Sequence, residues 1–218
     1  MRVAVLIPAY NVANDLHSLL KSLSRYPMNT IVVDDGSADG TSEVARRAGA
    51  IVLRQEKNQG KGKAHRRGFA YVLEKGYDAV LTMDGDGQHD PQSIPIFLNA
   101  IRDLDIVLGT REVSLKTMPL LRYGTNFTTS LTISLLTKRK IRDSQTGYRL
   151  IRREVLEKVI LRTSNYQTES EILIQAARRG FSIGFVPIKA IYGREKSHIN
   201  PFIDTLRAVV LFVKCLWR

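Results

Sequence analysis

The chain has 218 residues, a length that suits one domain with a sizeable core, and its 44% hydrophobic and 25% charged content excludes a disordered polymer. The net charge of +12 favours anionic partners: phosphorylated substrates, anionic lipid headgroups or nucleic acid. The single cysteine, Cys215, excludes an internal disulfide framework, and no apolar run approaches the ~20 residues of a membrane span.

From the N-terminus, the apolar run of residues 3–7 stops at Pro8 and gives way to Asn11, Asn14 and Asp15, which reads as a first strand rather than a signal peptide. A helix is expected over 14–24, where Leu16, Leu19, Leu20 and Leu23 recur at helical spacing. A strand over 30–33 ends in the turn Asp34-Asp35-Gly36-Ser37, and a helix starts near Thr41. A short strand over 51–53, a helix over 61–75 and a strand over 79–83 follow, the last cut off by Asp84-Gly85-Asp86-Gly87. A helix over 93–103 and a strand over 106–108 close this half. Strands alternating with helices and ending in Gly- or Asp-rich turns predict a mainly parallel α/β sheet, with ligands bound at the carboxyl ends of the strands.

The second half is less regular. It predicts a helical segment over 120–137, a strand with a loop within 143–151, a helix over 168–179 ended by Gly180, and a strand over 183–186 stopped by Pro187. No linker or repeat interrupts the chain, so residues 1–200 read as one domain. Residues 201–218 form an amphipathic helix with Phe202, Leu206, Val209, Val213 and Leu216 on one face and Arg207, Lys214 and Arg218 opposite. Such a helix either packs on the sheet or lies in a lipid interface.

The strongest chemical signal is Asp84-Gly85-Asp86-Gly87-Gln88-His89-Asp90-Pro91. Two carboxylates one residue apart, just beyond a buried strand, suit a hard divalent cation such as Mg²⁺ or Mn²⁺, which shares its oxygen ligands with substrate phosphates. Gly85 lets a diphosphate approach the backbone closely, and Gln88 adds an amide oxygen. An isolated Asp-x-Asp is more often a solvated turn; the strand before it and Gln-His-Asp-Pro after it favour the metal. A second signal is Asp34, a carboxylate at a strand end able to accept hydrogen bonds from a nucleobase or ribose. The same stretch also reads as helix entry, with Ser37 or Asp39 as the cap. Charge is uneven too: residues 113–142 contain no acid but hold Lys116, Arg122, Lys138, Arg139, Lys140 and Arg142.

Ile7-Pro8-Ala9-Tyr10-Asn11, Val33-Asp34-Asp35-Gly36-Ser37, Asn58-Gln59-Gly60-Lys61-Gly62 and Asp84 to Pro91, in this order and spacing, resemble family 2 glycosyltransferases of the GT-A fold. Gly109-Thr110-Arg111 and Asp143-Ser144-Gln145-Thr146-Gly147-Tyr148-Arg149 resemble the polyprenyl-phosphate branch, typified by dolichol-phosphate mannose synthase. The resemblance implies a Rossmann-like sheet with helices on both faces and inverting, metal-dependent transfer from a UDP- or GDP-sugar. It implies that Pro8, Tyr10, Val32 and Asp34 line the nucleobase pocket. Asp84, Gly85 and Asp86 would hold metal and diphosphate, with Gln88 a further metal ligand. Arg111 would contact the phosphates, and Arg122 with Asn126 would receive the acceptor phosphate. The chain departs from the pattern at Val12, where an acidic residue usually stands, and near Arg194, Lys196, Ser197 and His198, whose spacing is shifted; Arg194 and His198 are assigned to the acceptor phosphate.

A phosphomonoester acceptor is already anionic and needs no general base, so a polyprenyl phosphate at an anionic membrane surface suits the basic zone. A hydroxyl acceptor on a glycan or cell-envelope polysaccharide would need one, and Asp143, Glu171 and Glu169 are the candidates. A cytoplasmic location, peripheral on the membrane face, follows from the same reading. A nucleotidyltransferase would carry a glycine-rich basic loop after the first strand, where Pro8-Ala9-Tyr10-Asn11 stands instead. A nucleic-acid partner is not expected, because the Asp84/Asp86 pair would repel phosphates unless a metal intervened.

Overall fold

The computed structural model describes residues 1–111, 130–131, 133–135, 141, 143–144, 146–163 and 167–189, with Arg111 in its backbone alone. β1 (Val3–Ala9), β2 (Asn29–Asp34), β3 (Ile51–Arg54) and β4 (Ala79–Thr82) alternate with α1 (Ala13–Leu23), α2 (Thr41–Arg47) and α3 (Lys61–Glu74). A 3-10 turn (Pro91–Ser93) and α4 (Ile94–Ala100) lead into β5 (Ile106–Arg111). β6 (Arg149–Arg152), α5 (Arg153–Lys158), α6 (Gln167–Arg178) and β7 (Ile183–Ile188) follow. The strands form one sheet in the order β3-β2-β1-β4-β6-β5-β7. β6 runs antiparallel to β4 and β5, and the other pairs are parallel.

The period-two alternation of β1 divides the core into two layers. Val3, Val5, Ile7 and Ala9 pack with Leu16, Leu19, Leu20 and Leu23 of α1 and Phe97 of α4. Ala4 and Leu6 face Ala64, Phe69 and Val72 of α3 and Ile172 and Leu173 of α6. Helices therefore cover both faces. Gly68 lets α3 settle on β1, since a Cβ there would stand 2.3 Å from a Leu6 methyl carbon.

Two expected strand ends fall later than the prolines suggest. β1 runs through Pro8. The Leu6 carbonyl accepts from Met83 N–H on the β4 side, and Ala9 accepts from Asp35 on the β2 side. By alternation the Pro8 nitrogen faces β4, which ends at Thr82, so no ladder bond is lost. β7 likewise runs through Pro187 because it is an edge strand, where a missing N–H can face away from the sheet. α5 was not foreseen; at six residues it is too short to show a helical period.

β1 lies between β2 and β4, and the chain leaves this pair in opposite directions. The crevice beyond the carboxyl ends of β1 and β4 is thus the topological switch point, where open α/β sheets bind ligands. Among the described residues no helix is long and apolar enough to cross a membrane.

Candidate active site

On the β2 side, the loops after β1 and β2 are laced together by short polar side chains. Asn11 adopts a positive φ of 52°, a conformation asparagine tolerates because its side chain can bond locally. Its N–H donates to Ser37 Oγ (2.9 Å), and its Oδ1 accepts from Ala38 N–H (2.9 Å). Val12 N–H donates to Thr41 Oγ1 (3.1 Å), and Asp39 accepts from Ala13 N–H (2.9 Å) and Thr41 N–H (3.0 Å). Asp39 therefore ties both helix starts together, while Gly40, at φ 85°, is the N-cap of α2.

Asp34 is 0% exposed. Its carboxylate accepts from Ser37 N–H (2.8 Å) and the Ser42 hydroxyl and pairs with Arg54 at 3.5 Å. Asp35 accepts from the N–H groups of Gln59 and Gly60 (2.8 Å each) and from Gln55 Nε2 (2.6 Å), fixing the loop that launches α3. Gly36 is required at this junction: a Cβ would lie 2.7 Å from the Lys57 backbone, and its φ is +79°. Of the residues expected to line a nucleobase pocket, Tyr10 is 48% exposed and Pro8 half-buried. Val32 is sealed in the core, and Asp34 presents no surface in this conformation.

On the β4 side the site is held by charge. The Lys61 ammonium, at the first residue of α3, lies 2.5 Å from Asp84 Oδ1. It meets Glu169 Oε1 of α6 at 2.8 Å, as an ion pair rather than an aligned hydrogen bond. Arg149 lies 3.8 Å from Glu169 Oε2 and donates to the carbonyls of Thr146 (2.7 Å), Glu169 (2.5 Å) and Ser144 (2.8 Å). His89 Nδ1 accepts from Asp84 N–H (3.1 Å), and its ring stacks on Tyr148 at 5.0 Å. Gly147 makes the close approach possible, because a Cβ there would stand 2.5 Å from an Asp84 oxygen. Gly85 does the same against β1, with Val12, Ile7 and the Pro8 carbonyl within 3.5 Å of the position of a Cβ.

Burial alone would raise the Asp84 pKa, but Lys61 and His89 outweigh it and hold the carboxyl well below its usual range. Burial would lower that of Lys61, and Asp84 and Glu169 reverse the sign. Asp86 differs: burial and then the Asp84 charge raise its pKa, against one N–H donated by Gln88 (3.0 Å). Asp86 beside the charged Asp84 is a setting a divalent cation relieves, so the donor chemistry fits a hard metal. Among the described residues no three His, Cys, Asp or Glu side chains could enclose an ion. His65, one turn along α3 from Lys61, is buried, stacks on Phe69 at 5.5 Å and leaves its Nδ1 without a hydrogen-bond partner. Burial and then Lys61 push its pKa down to about 3.

The structure thus brings Asp84, Gly85, Asp86 and Gln88 to the mouth of the crevice. Arg111 ends β5 opposite Ile188, with its side chain outside the described atoms. Arg122, Asn126, Arg194, His198 and the 201–218 segment lie outside the described residues. Glu171 accepts from Arg162 N–H (3.0 Å), Thr163 N–H (3.0 Å) and Thr163 Oγ1 (2.8 Å), bracing the chain before α6. Asp143 is buried beside Arg149, whose charge it supports. Sequence reasoning gave no role to Lys61, Arg149, Gly147 or His89. A signal existed for Lys61: the first turn of α3 holds two lysines and no acid, against the helix dipole, so another element must supply the countercharge.

A seven-stranded, mostly parallel sheet with helices on both faces and paired carboxylates at its switch point is a GT-A-like α/β fold. Residues 4–160 match the model of the family described as glycosyl transferase family 2, and the chain belongs to that family. It is 33% identical over 204 residues to an undecaprenyl-phosphate mannosyltransferase of Micrococcus luteus, covering 86% of this chain and 83% of that protein. It is 34% identical over 204 residues to a dolichyl-phosphate hexose transferase of Haloferax volcanii, covering 92% and 87%. The glucosyl-3-phosphoglycerate synthase of Mycobacterium tuberculosis, solved with Mn²⁺, UDP and phosphoglyceric acid, superposes with a TM-score of 0.80. Its sequence identity is 21%, and the match covers 98% of this chain and 78% of that one.

Proposed function

We propose that this glycosyltransferase moves a sugar from a nucleotide-sugar donor to a polyprenyl phosphate. The observation that carries the acceptor class is the state of the α6 carboxylates. Glu171 is spent on the 162–163 backbone, and Glu169 is held between Lys61 and Arg149. Neither stands ready to take a proton from a hydroxyl, whereas an anionic phosphate needs no base. The names of the two relatives support the same class. Asp84, Asp86 and Gln88 would hold a Mg²⁺ or Mn²⁺ ion, which supplies charge neutralisation for the departing diphosphate.

The chain's own residues do the rest. Pro8 and Tyr10 flank the open end of the crevice, while Asp34 and Asp35 hold the loops that shape it. Arg111 would meet the donor phosphates; Arg122, Asn126, Arg194 and His198 would receive the acceptor phosphate. If the acceptor were instead a glycan hydroxyl, one of Asp143, Glu171 and Glu169 would have to be released from its present partners to act as base. A transfer assay offering UDP-, GDP- and dTDP-sugars against short polyprenyl phosphates, free sugars and glycans decides. Label confined to a hydroxyl acceptor would refute the lipid-phosphate reading. Arg122→Lys should cost acceptor turnover more than donor binding, since a lysine lacks the paired donors that grip a phosphate. Binding to anionic liposomes should weaken with salt.

A further inference from the structure

Lys61 occupies an unusual place for a cation. It opens a helix whose dipole repels it, and it lies against a carboxylate that suits a metal. Among the described residues its ammonium touches two acids from different parts of the fold, Asp84 after β4 at 2.5 Å and Glu169 of α6 at 2.8 Å. We propose that Lys61 is a displaceable counter-cation: it neutralises Asp84 in the metal-free protein, competes with a divalent cation for that carboxylate, and withdraws onto Glu169 when the cation arrives with a nucleotide diphosphate. This rests on the reading of Asp84 as a metal ligand.

Mg²⁺ and Mn²⁺ sit roughly 2.0–2.2 Å from carboxylate oxygens. An ammonium bonded to the same oxygen would therefore face the metal across a few ångströms, where like charges repel strongly in a partly buried site. Lys61 can leave Asp84 without becoming an unpaired buried charge, because Glu169 remains beside it. Glu169 is itself fixed by α6 and supported on its other oxygen by Arg149 at 3.8 Å. The exchange is one-sided without nucleotide, since a bare cation must displace the lysine with protein ligands alone. A diphosphate adds oxygen ligands and negative charge, which tips the competition. The site is thereby protected against filling with metal before the donor is present.

The test is Mn²⁺ binding, followed by electron paramagnetic resonance and calorimetry, with and without UDP or GDP, in the wild type, Lys61→Met and Glu169→Gln. Without nucleotide, Lys61→Met should bind Mn²⁺ about tenfold more tightly or better, because the competing charge is gone. Glu169→Gln should bind it several-fold more weakly, because the ammonium loses its second acid and stays on Asp84. A purely architectural lysine predicts weaker binding in both variants. That result, or unchanged affinity in a folded Lys61→Met, overturns the proposal. If Lys61→Met does not fold, Lys61→Gln takes its place with the same tightening expected, and affinity at or below wild type overturns the proposal. Mn²⁺ that binds no form even with nucleotide sinks the metal reading as well; Mn²⁺ that binds with nucleotide but ignores Lys61 sinks this inference alone.

Discussion

The loops after β1 and β2 are joined by neutral and charge-assisted hydrogen bonds from short side chains. Across the crevice, the segment after β4 is joined to α3 and α6 by full charges. On the first side Asn11, Ser37, Asp39 and Thr41 bond mostly to backbone N–H groups, and Asp34 and Asp35 each collect several donors. On the second side Asp84, Lys61, Glu169 and Arg149 alternate in sign, drawn from the segment after β4 and from α3, α6 and β6. A lattice of saturated short bonds is rigid, because any move leaves buried groups unmatched. An ion chain can exchange partners if a new cation arrives. The comparison assigns shape to one wall and charge exchange to the other.

The largest expected effect breaks the charged wall at its open end. Asp86→Ala should abolish transfer while leaving the melting temperature near that of wild type, because this carboxylate supports no other described element. Full activity of the variant in excess EDTA would disprove metal dependence. Next comes Arg149→Met, which leaves three carbonyls unmatched in the interior and Glu169 with Lys61 as its remaining cation among the described residues; about 3–5 kcal/mol of stability should be lost, the scale for breaking a buried pair. Urea unfolding measures it, and a loss under ~1 kcal/mol would show the guanidinium to be dispensable.

The shape-giving wall should yield less. Asp34→Ala removes the acceptor for Ser37 and Ser42, and should weaken nucleotide binding by about 1–3 kcal/mol through the loosened turn. Calorimetry with UDP and GDP reads this, and unchanged affinity would move the nucleobase elsewhere. At neutral pH the smallest effect is that of His65, which vanishes there and grows only in acid. Its folded pKa is pushed down to about 3, whereas the unfolded chain takes the proton near ~6.5. Between these values the unfolded state binds more protons, so stability falls as pH drops from ~6.5 towards 3 and is untouched above it. His65→Gln should flatten that limb by up to about 1.4 kcal/mol per pH unit. Parallel curves for the two proteins would show that His65 is protonated in the fold.

Part of each wall was legible where its residues are contiguous. Asp34 to Thr41 and Asp84 to Pro91 each carry their chemistry within a few residues of a strand end, and hydrophobic alternation located those strands. A strand-end carboxylate signals binding at Asp34, and packing adds that Ser37, Ser42 and Arg54 bond to it. Glu171 was weighed as a base on its helix position, while the fold turns it to the 162–163 backbone and brings Glu169 to Lys61. The two prolines misled because a proline's cost depends on which neighbour its nitrogen faces, and that is a property of the sheet.

By itself the sequence determined the alternation of strands and helices, the family and the carboxylate pair, since local periodicity and short motifs encode them. Tertiary structure alone decided that Lys61 of α3 would pair with Asp84 and with Glu169 of α6, and that Arg149 of β6 would meet Glu169. These attractions have no local signature: Glu169 lies 108 residues beyond Lys61 and 20 beyond Arg149 in the chain, and Arg149 reaches it because β6 inserts antiparallel between β4 and β5.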